Sequence, residues 1–327
     1  MTTTPEQLKD RIKGLIHMPM THFDESGELD ESAIRVGVRH ALTALKGEDA
    51  LFLIAGTTAE FYALTDEEIL RIIRLVVQEV DRKFPILAGT GRAGTKLTIE
   101  MSQKAQQLGV DGVLIVAPYY NLATEEGLYR HYESVASNID VGIMIYNNPV
   151  ASKVWIPPHL MKRLSKIRNI IADKENTPNA LAFYMMQKAV NPQDMVIIAG
   201  LGHLMFSFET LYSIPAFVTE LVNFAPELAI GLYRAARSKD YERAKEIADR
   251  LGSYDLFVSD CARRRAIPTV LSPSTGGSES PVYQSIIKQA MNLVGLPGGK
   301  VREPMENITP GEKEELKEVL QGLGVCP

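Results

Sequence analysis

Eight short apolar runs punctuate the first two thirds of the chain, at residues 14–20, 50–55, 84–88, 112–117, 141–146, 169–174, 195–199 and 214–218. Each is continuous in Val, Ile, Leu or Ala rather than alternating with polar positions. That is the pattern of parallel strands buried on both faces. Between the runs, apolar residues recur at helical spacing. Ile69, Ile72, Ile73, Val76, Val77 and Val80 mark one face of a helix. Thr65 and Glu68 open it as a capping box, hydroxyl and carboxylate each satisfying a free amide of the first turn. Residues 97–108 and 128–135 read in the same way. From Gly56 onward the strand ends at Gly56, Gly89, Pro118, Tyr146, Lys174 and Gly200 fall 26–33 residues apart, about one strand-plus-helix unit. Eight such units predict a closed (β/α)8 TIM barrel of the α/β class rather than an open doubly wound sheet, which would need a switch point in strand order.

Beyond about residue 225 the pattern is helical only, with helices expected at 228–236, 241–251, 285–294 and 311–323. Residues 272–281, rich in Ser, Gly and Pro, read as a loop. The expected organisation is a catalytic barrel over residues 1–225 and a C-terminal helical region over 226–327 that serves as an appendage, not a catalytic module.

Composition narrows the function classes. A length of 327 residues suits an α/β barrel with an appendage. The net charge of −5 argues against a nucleic-acid footprint, which needs a basic surface. The run Arg263, Arg264, Arg265 is too short to change that and reads as salt-bridge partners or a solvated face. Cys261 and Cys326 lack CxxC spacing, so neither a disulfide framework nor a zinc knuckle is expected. The six histidines form no HxH or HExxH pattern, and no metal site is expected. The N-terminal residues carry no basic or apolar leader, and no stretch approaches the roughly 18 apolar residues of a membrane span. The expectation is a cytoplasmic protein without a membrane partner.

Gly89, Gly91 and Gly94 fit GxGxxG after a strand. The following strand ends without the acidic residue that a dinucleotide ribose requires, so a tight turn, with glycine permitting positive φ, is the better reading. Lys174 carries more information. It ends an apolar strand, at the end where barrel active sites are built. Alternation places it on one face with Ala172, and Asp173 and Glu175 on the other. An amine carried into an apolar barrel mouth favours its neutral, nucleophilic form. A lysine salt-bridged to Asp173 or Glu175 is the competing reading on position alone. Tyr146 ends the preceding strand and so lies beside Lys174, where a phenol can move protons. Gly56, Thr57 and Thr58 end another strand; two hydroxyls and free amides suit a carboxylate. Tyr119 and Tyr120 follow the fourth strand and suit interface packing equally well. His203, after the seventh strand, reads as a structural histidine. Ala216, in the eighth run, joins the substrate-binding candidates.

Taken in order, Gly56 to Glu60, Ala63 to Thr65, Ala88 to Gly91, Pro118 to Asn121, Tyr146 to Pro149, Lys174 with Glu175, and the tail from Leu296 to Pro304 resemble the dihydrodipicolinate synthase and N-acetylneuraminate lyase family over nearly the whole chain. The resemblance implies that Lys174 forms the Schiff base and that Tyr146 moves protons at that centre. It implies that Thr57 and Thr58 hold the substrate carboxylate, with Thr57 also in the proton relay. Tyr120 matches a tyrosine that completes the relay from a neighbouring subunit, and the family is usually a homotetramer built as a dimer of dimers. No metal or diffusible cofactor is implied, since the iminium is itself the electron sink.

The departures bear on substrate. The synthases' second-carboxylate arginine, two residues after Pro149, is replaced by Ala151. The lyases' acidic sugar contacts after the seventh strand are replaced by Gly202 and His203, and the glycine that usually precedes the motif glutamate is Ala59. The expected activity is a Schiff-base-forming aldolase or dehydratase acting on pyruvate or a 2-keto-3-deoxy sugar acid. The alternative is 4-hydroxy-tetrahydrodipicolinate synthase, condensing pyruvate with aspartate semialdehyde. A non-catalytic 2-oxo acid sensor would not need Lys174 and Tyr146 together, and a nicotinamide oxidoreductase would need the glycine motif to bind cofactor.

Overall fold

The computed structural model describes residues 3–265, 267 and 280–326. Eight strands close a parallel barrel in sequence order. They are β1 (Gly14–His17), β2 (Ala50–Ile54), β3 (Ile86–Gly89), β4 (Gly112–Val116), β5 (Gly142–Asn147), β6 (Ile170–Glu175), β7 (Val196–Ala199) and β8 (Ala216–Thr219). The helices among the described residues are α1 (Pro5–Arg11), α2 (Glu31–Ala44), α3 (Asp66–Val80), α4 (Thr95–Gln107), α5 (Glu125–Ala136), α6 (Pro149–Ser152), α7 (Pro158–Leu164), α8 (Ala180–Ala189), α9 (Gly202–Glu209), α10 (Pro226–Arg237), α11 (Tyr241–Arg263), α12 (Tyr283–Leu293) and α13 (Pro310–Gly322). The TIM barrel expected from the apolar runs is the observed fold. Of the loop expected at 272–281, residues 272–279 lie outside the described residues.

Two apolar layers account for the architecture. Inward-facing Ile16, Leu51, Leu53, Leu87, Leu114, Met144, Ala172, Ile198 and Val218 fill the barrel. Outward-facing Phe52, Ile54, Ile115, Ile143, Ile145, Ile197 and Phe217 pack beneath the helices. With both faces covered, a strand has no reason to alternate polar and apolar residues, which is why the runs are continuous. Leu8 and Ile12, from α1 and its C-terminal cap, join the inner layer. A Cβ on Gly112 or Gly142 would lie 2.7 or 3.0 Å from Leu8 Cδ2. Helix α1 therefore stoppers the N-terminal end of the barrel and leaves the C-terminal end as the mouth.

Helix α10 follows β8 and packs against α11 as well as α9, α2 and β1, so it covers the barrel and joins it to the C-terminal helices. One boundary differs from the sequence reading. Helix α11 continues through Gly252 to Arg263, well past residue 251, because Tyr254, Phe257, Val258 and Cys261 extend its buried face. Arg264 and Arg265 pair with Glu315 and Glu312 near α13, as expected for salt-bridge partners. Among the described residues no helix is long and apolar enough to cross a membrane.

Candidate active site

Lys174 and Tyr146 are paired across the ladder between β5 and β6. Both face inward at the mouth end of their strands and both are buried. The Lys174 amine stands over the phenol ring, Nζ 3.9 Å from the centroid, within contact of the aromatic face. Among the described residues Lys174 forms no ion pair. The competing reading, a lysine salt-bridged to Asp173 or Glu175, is thereby set aside: both carboxylates lie on the outer face of β6.

That outer face holds an unusual set of acids. Asp173 is fully buried, and among the described residues neither oxygen has a partner in good hydrogen-bond geometry. Burial, reinforced by the charge of Glu175, pushes its carboxyl well above the usual range. Burial also raises Glu175, against hydrogen bonds from Thr177 and Asn147 that favour its charge. Glu209, from α9, is pushed up to about 8 by burial and by Glu175. Glu209 is therefore carried largely protonated at neutral pH, and Asp173 and Glu175 sit behind the strand, away from the Lys174 amine.

Tyr146 is held from the next turn. Asn148 Nδ2 donates to the Tyr146 hydroxyl at 2.8 Å, while Asn148 Oδ1 accepts from the amides of Val150 and Ala151 at 3.1 Å each as the N-cap of α6. One amide group is thus fixed at both ends. Because the phenol oxygen accepts from Asn148, its own proton remains free for a ligand. Sequence reading identifies Asn148 only as part of a motif; an amide just after a strand-end tyrosine is the available signal. The Asn148→Asp variant should keep the helix cap and lose the donor. The tyrosine would then donate to the new carboxylate, and turnover should fall roughly tenfold to hundredfold, the worth of a hydrogen bond to a charged group. The melting temperature should change little. Steady-state kinetics beside thermal unfolding checks this, and an unchanged kcat would make Asn148 a cap only.

The other half of the site follows β2. Gly56 is extended, and Thr57–Ala59 form a single 3-10 turn. Ala55, Gly56, Thr57, Phe61, Gly89, Gly91, Leu114, Val116 and Tyr146 line a small cavity, roughly 230 Å³ including its open side. Thr57 and Tyr146 therefore border one space, and Lys174 adjoins it through the tyrosine ring. Gly89 and Gly91 belong to the cavity wall. Neither has a positive φ; the reason for glycine is close approach instead. A Cβ would lie 2.1 Å from the Ala55 carbonyl oxygen at Gly89, and 2.9 Å from Val116 at Gly91.

The remaining candidates lie elsewhere. Tyr120 sits in the loop after β4 and is 79% exposed; among the described residues no hydrogen bond joins it to Thr57 or Tyr146. Ala216 opens β8 instead of ending it and is buried in the inner layer, so the β8 residue nearest the mouth is Thr219. His203 is buried and pairs with Asp255 at 3.0 Å. Asn176, which no sequence pattern singles out, is buried, and among the described residues its Oδ1 has no hydrogen-bond partner. Among the described residues no cluster of His, Cys, Asp or Glu could hold a metal ion.

Comparison with known proteins converges on one group. The model of the dihydrodipicolinate synthetase family matches residues 11–258. A 4-hydroxy-tetrahydrodipicolinate synthase from Bartonella bacilliformis is 32% identical over 315 residues, 96% of this chain and 99% of the relative. Another from Acetivibrio thermocellus is 29% identical over 304 residues, 93% of this chain and 92% of that one. Among solved structures, YagE, a prophage protein of the dihydrodipicolinic acid synthase family from E. coli K12 in complex with pyruvate, superposes with a TM-score of 0.84 at 28% identity, covering 96% of this chain and 99% of its own.

Proposed function

The chain belongs to the dihydrodipicolinate synthetase family, and from that premise we propose that it is a Schiff-base-forming lyase of the class I aldolase type, acting on pyruvate or a larger 2-oxo acid. The observation that carries this is a buried lysine that forms no ion pair among the described residues, standing 3.9 Å over a tyrosine ring at the mouth of the barrel, beside a cavity bordered by Gly56 and Thr57. Lys174 attacks the C2 carbonyl. Tyr146, its hydroxyl proton unclaimed by Asn148, assists the loss of water that leaves an iminium. The iminium draws electrons from C3, so that either the C3–C4 bond breaks or a proton leaves C3 and a hydroxyl leaves C4. Thr57, Thr58 and the amides after Gly56 hold the C1 carboxylate. The exposure of Tyr120 supports its insertion into a neighbouring protomer, in a homo-oligomer arranged as a dimer of dimers.

The second reactant is proposed to be hydroxylated, not anionic. Ala151 lies exposed on α6 and has no cation to offer. Arg163 is engaged with Glu126 at 3.2 Å and stacked over Tyr129, and Arg92 is turned onto Asp66 at 2.7 Å. Asn176 has a spare amide oxygen that suits a hydroxyl. A carboxylate held without its charge-assisted partner loses about 1.5–3 kcal/mol, a tenfold to hundredfold loss in kcat/KM. A coupled assay with pyruvate and aspartate semialdehyde, beside a panel of 2-keto-3-deoxy acids, should therefore rank the semialdehyde low. The names of the relatives favour a second reading, 4-hydroxy-tetrahydrodipicolinate synthase. A wide preference for the semialdehyde would install that reading.

A further inference from the structure

We propose that helix α12, in the C-terminal region, is a positioning element of the active site: Tyr283, Gln284 and Lys288 hold the 56–60 turn in the shape that presents Thr57 and Thr58 to the substrate carboxylate. The inference rests on reading that turn as the carboxylate cradle.

The turn closes on backbone bonds of its own, the Ala59 and Phe61 amides to the Gly56 carbonyl and the Glu60 amide to the Thr57 carbonyl, but its side chains are held from outside. It is one 3-10 turn with no side-chain cap. It ends at Glu60 in the left-handed region, φ 58 and ψ 34, where a residue with a Cβ is strained and persists only when its surroundings fix it. Those surroundings come chiefly from α12. Gln284 Nε2 donates to the Thr57 carbonyl at 3.2 Å, from 227 residues away in sequence. The Tyr283 hydroxyl lies beside the Thr58 hydroxyl and the Glu220 carboxylate. Lys288 Nζ lies 2.5 Å from Glu60 Oε1, and both side chains are fully buried. Gln284 and Lys288 are one helical turn apart and so share a face. The barrel and the tail add Thr21 Oγ1 donating to the Ala59 carbonyl at 2.7 Å and the Arg302 amide donating to Glu60 Oε2 at 3.0 Å. Every residue from Thr57 to Glu60 is thus gripped through a side chain or a backbone oxygen.

A cradle fixed before the ligand arrives binds an anion better than one that must be ordered by it. Lys288 is a poor probe, since its removal would strand a buried glutamate charge. Tyr283→Phe and Gln284→Met each keep the packing volume and remove polar atoms that hold the turn. The experiment titrates borohydride trapping in wild type and both variants, with pyruvate and with acetone, a ketone that lacks the carboxylate. Circular dichroism confirms that each variant is folded. The expected result is a half-saturating pyruvate concentration raised roughly threefold to tenfold in each variant, the worth of one hydrogen bond, with unchanged trapping at saturation and unchanged trapping of acetone. Folded variants with the wild-type pyruvate concentration dependence would overturn the role of α12 while leaving the Schiff base in place. Equal loss with both ketones would place the effect at Lys174 and also overturn it. Absence of any pyruvate adduct in wild type would instead remove the Schiff-base reading beneath it.

Discussion

Pyruvate followed by borohydride adds a stable mass to the protein, the adduct maps to Lys174, and the Lys174→Ala variant takes up none. The expectation follows from what surrounds the amine. A lysine serves as an imine-forming nucleophile when it is held near the reacting carbon and is not tied to a carboxylate. Lys174 meets both conditions: it is buried at the mouth of β6, and the nearby acids lie on the far face of the strand, Asp173 and Glu209 held well above their usual range by burial. Turnover of the variant should fall by about 10⁴ or more, because no other residue offers the covalent route. Its fold should survive, since among the described residues Lys174 has no ion pair whose loss would strand a charge. Peptide mapping of the reduced adduct is the measurement. Labelling that persists in Lys174→Ala would remove the residue from its role.

Tyr146→Phe should keep the fold and slow turnover by roughly 10²–10⁴, the usual worth of a positioned proton donor. The substitution isolates the hydroxyl. The ring beneath Lys174 Nζ remains, so the 3.9 Å contact that places the amine is retained along with the packing of the inner layer. What disappears is the oxygen that accepts from Asn148 at 2.8 Å and the proton it leaves available. Stability should drop only by about 0.5–1.5 kcal/mol, one neutral hydrogen bond. The informative comparison is single-turnover imine formation against the half-saturating pyruvate concentration: the rate should fall while the concentration holds. An unchanged kcat would reduce Tyr146 to a packing residue.

The parts of the fold legible in the sequence are those encoded locally. Continuous apolar runs specify strands covered on both faces, and their even spacing specifies the barrel. Tyr146 and Lys174 can be placed side by side because consecutive parallel strands end at the same rim. Alternation alone puts Asp173 and Glu175 behind the lysine. The features that sequence misplaces depend on tertiary placement. Gly89 and Gly91 look like turn residues because close backbone approach leaves no mark on the sequence. Helix α1 is only seven residues long, too short for periodicity to reveal a stopper. The grip of α12 on the 56–60 turn joins residues 227 positions apart, beyond the reach of any local pattern.

The stopper at the base of the barrel has a kinetic corollary. With Leu8 and Ile12 packed into the inner layer, the N-terminal end of the barrel offers no passage among the described residues, and traffic is left to the mouth. The water expelled when an imine forms, the water that later hydrolyses it, and both organic reactants all pass through the same opening. Sequence of arrival is then a matter of queueing: the oxo acid that reaches the lysine goes in first, and whatever joins it stands between it and the exit. Its release has to wait until the later arrival has gone.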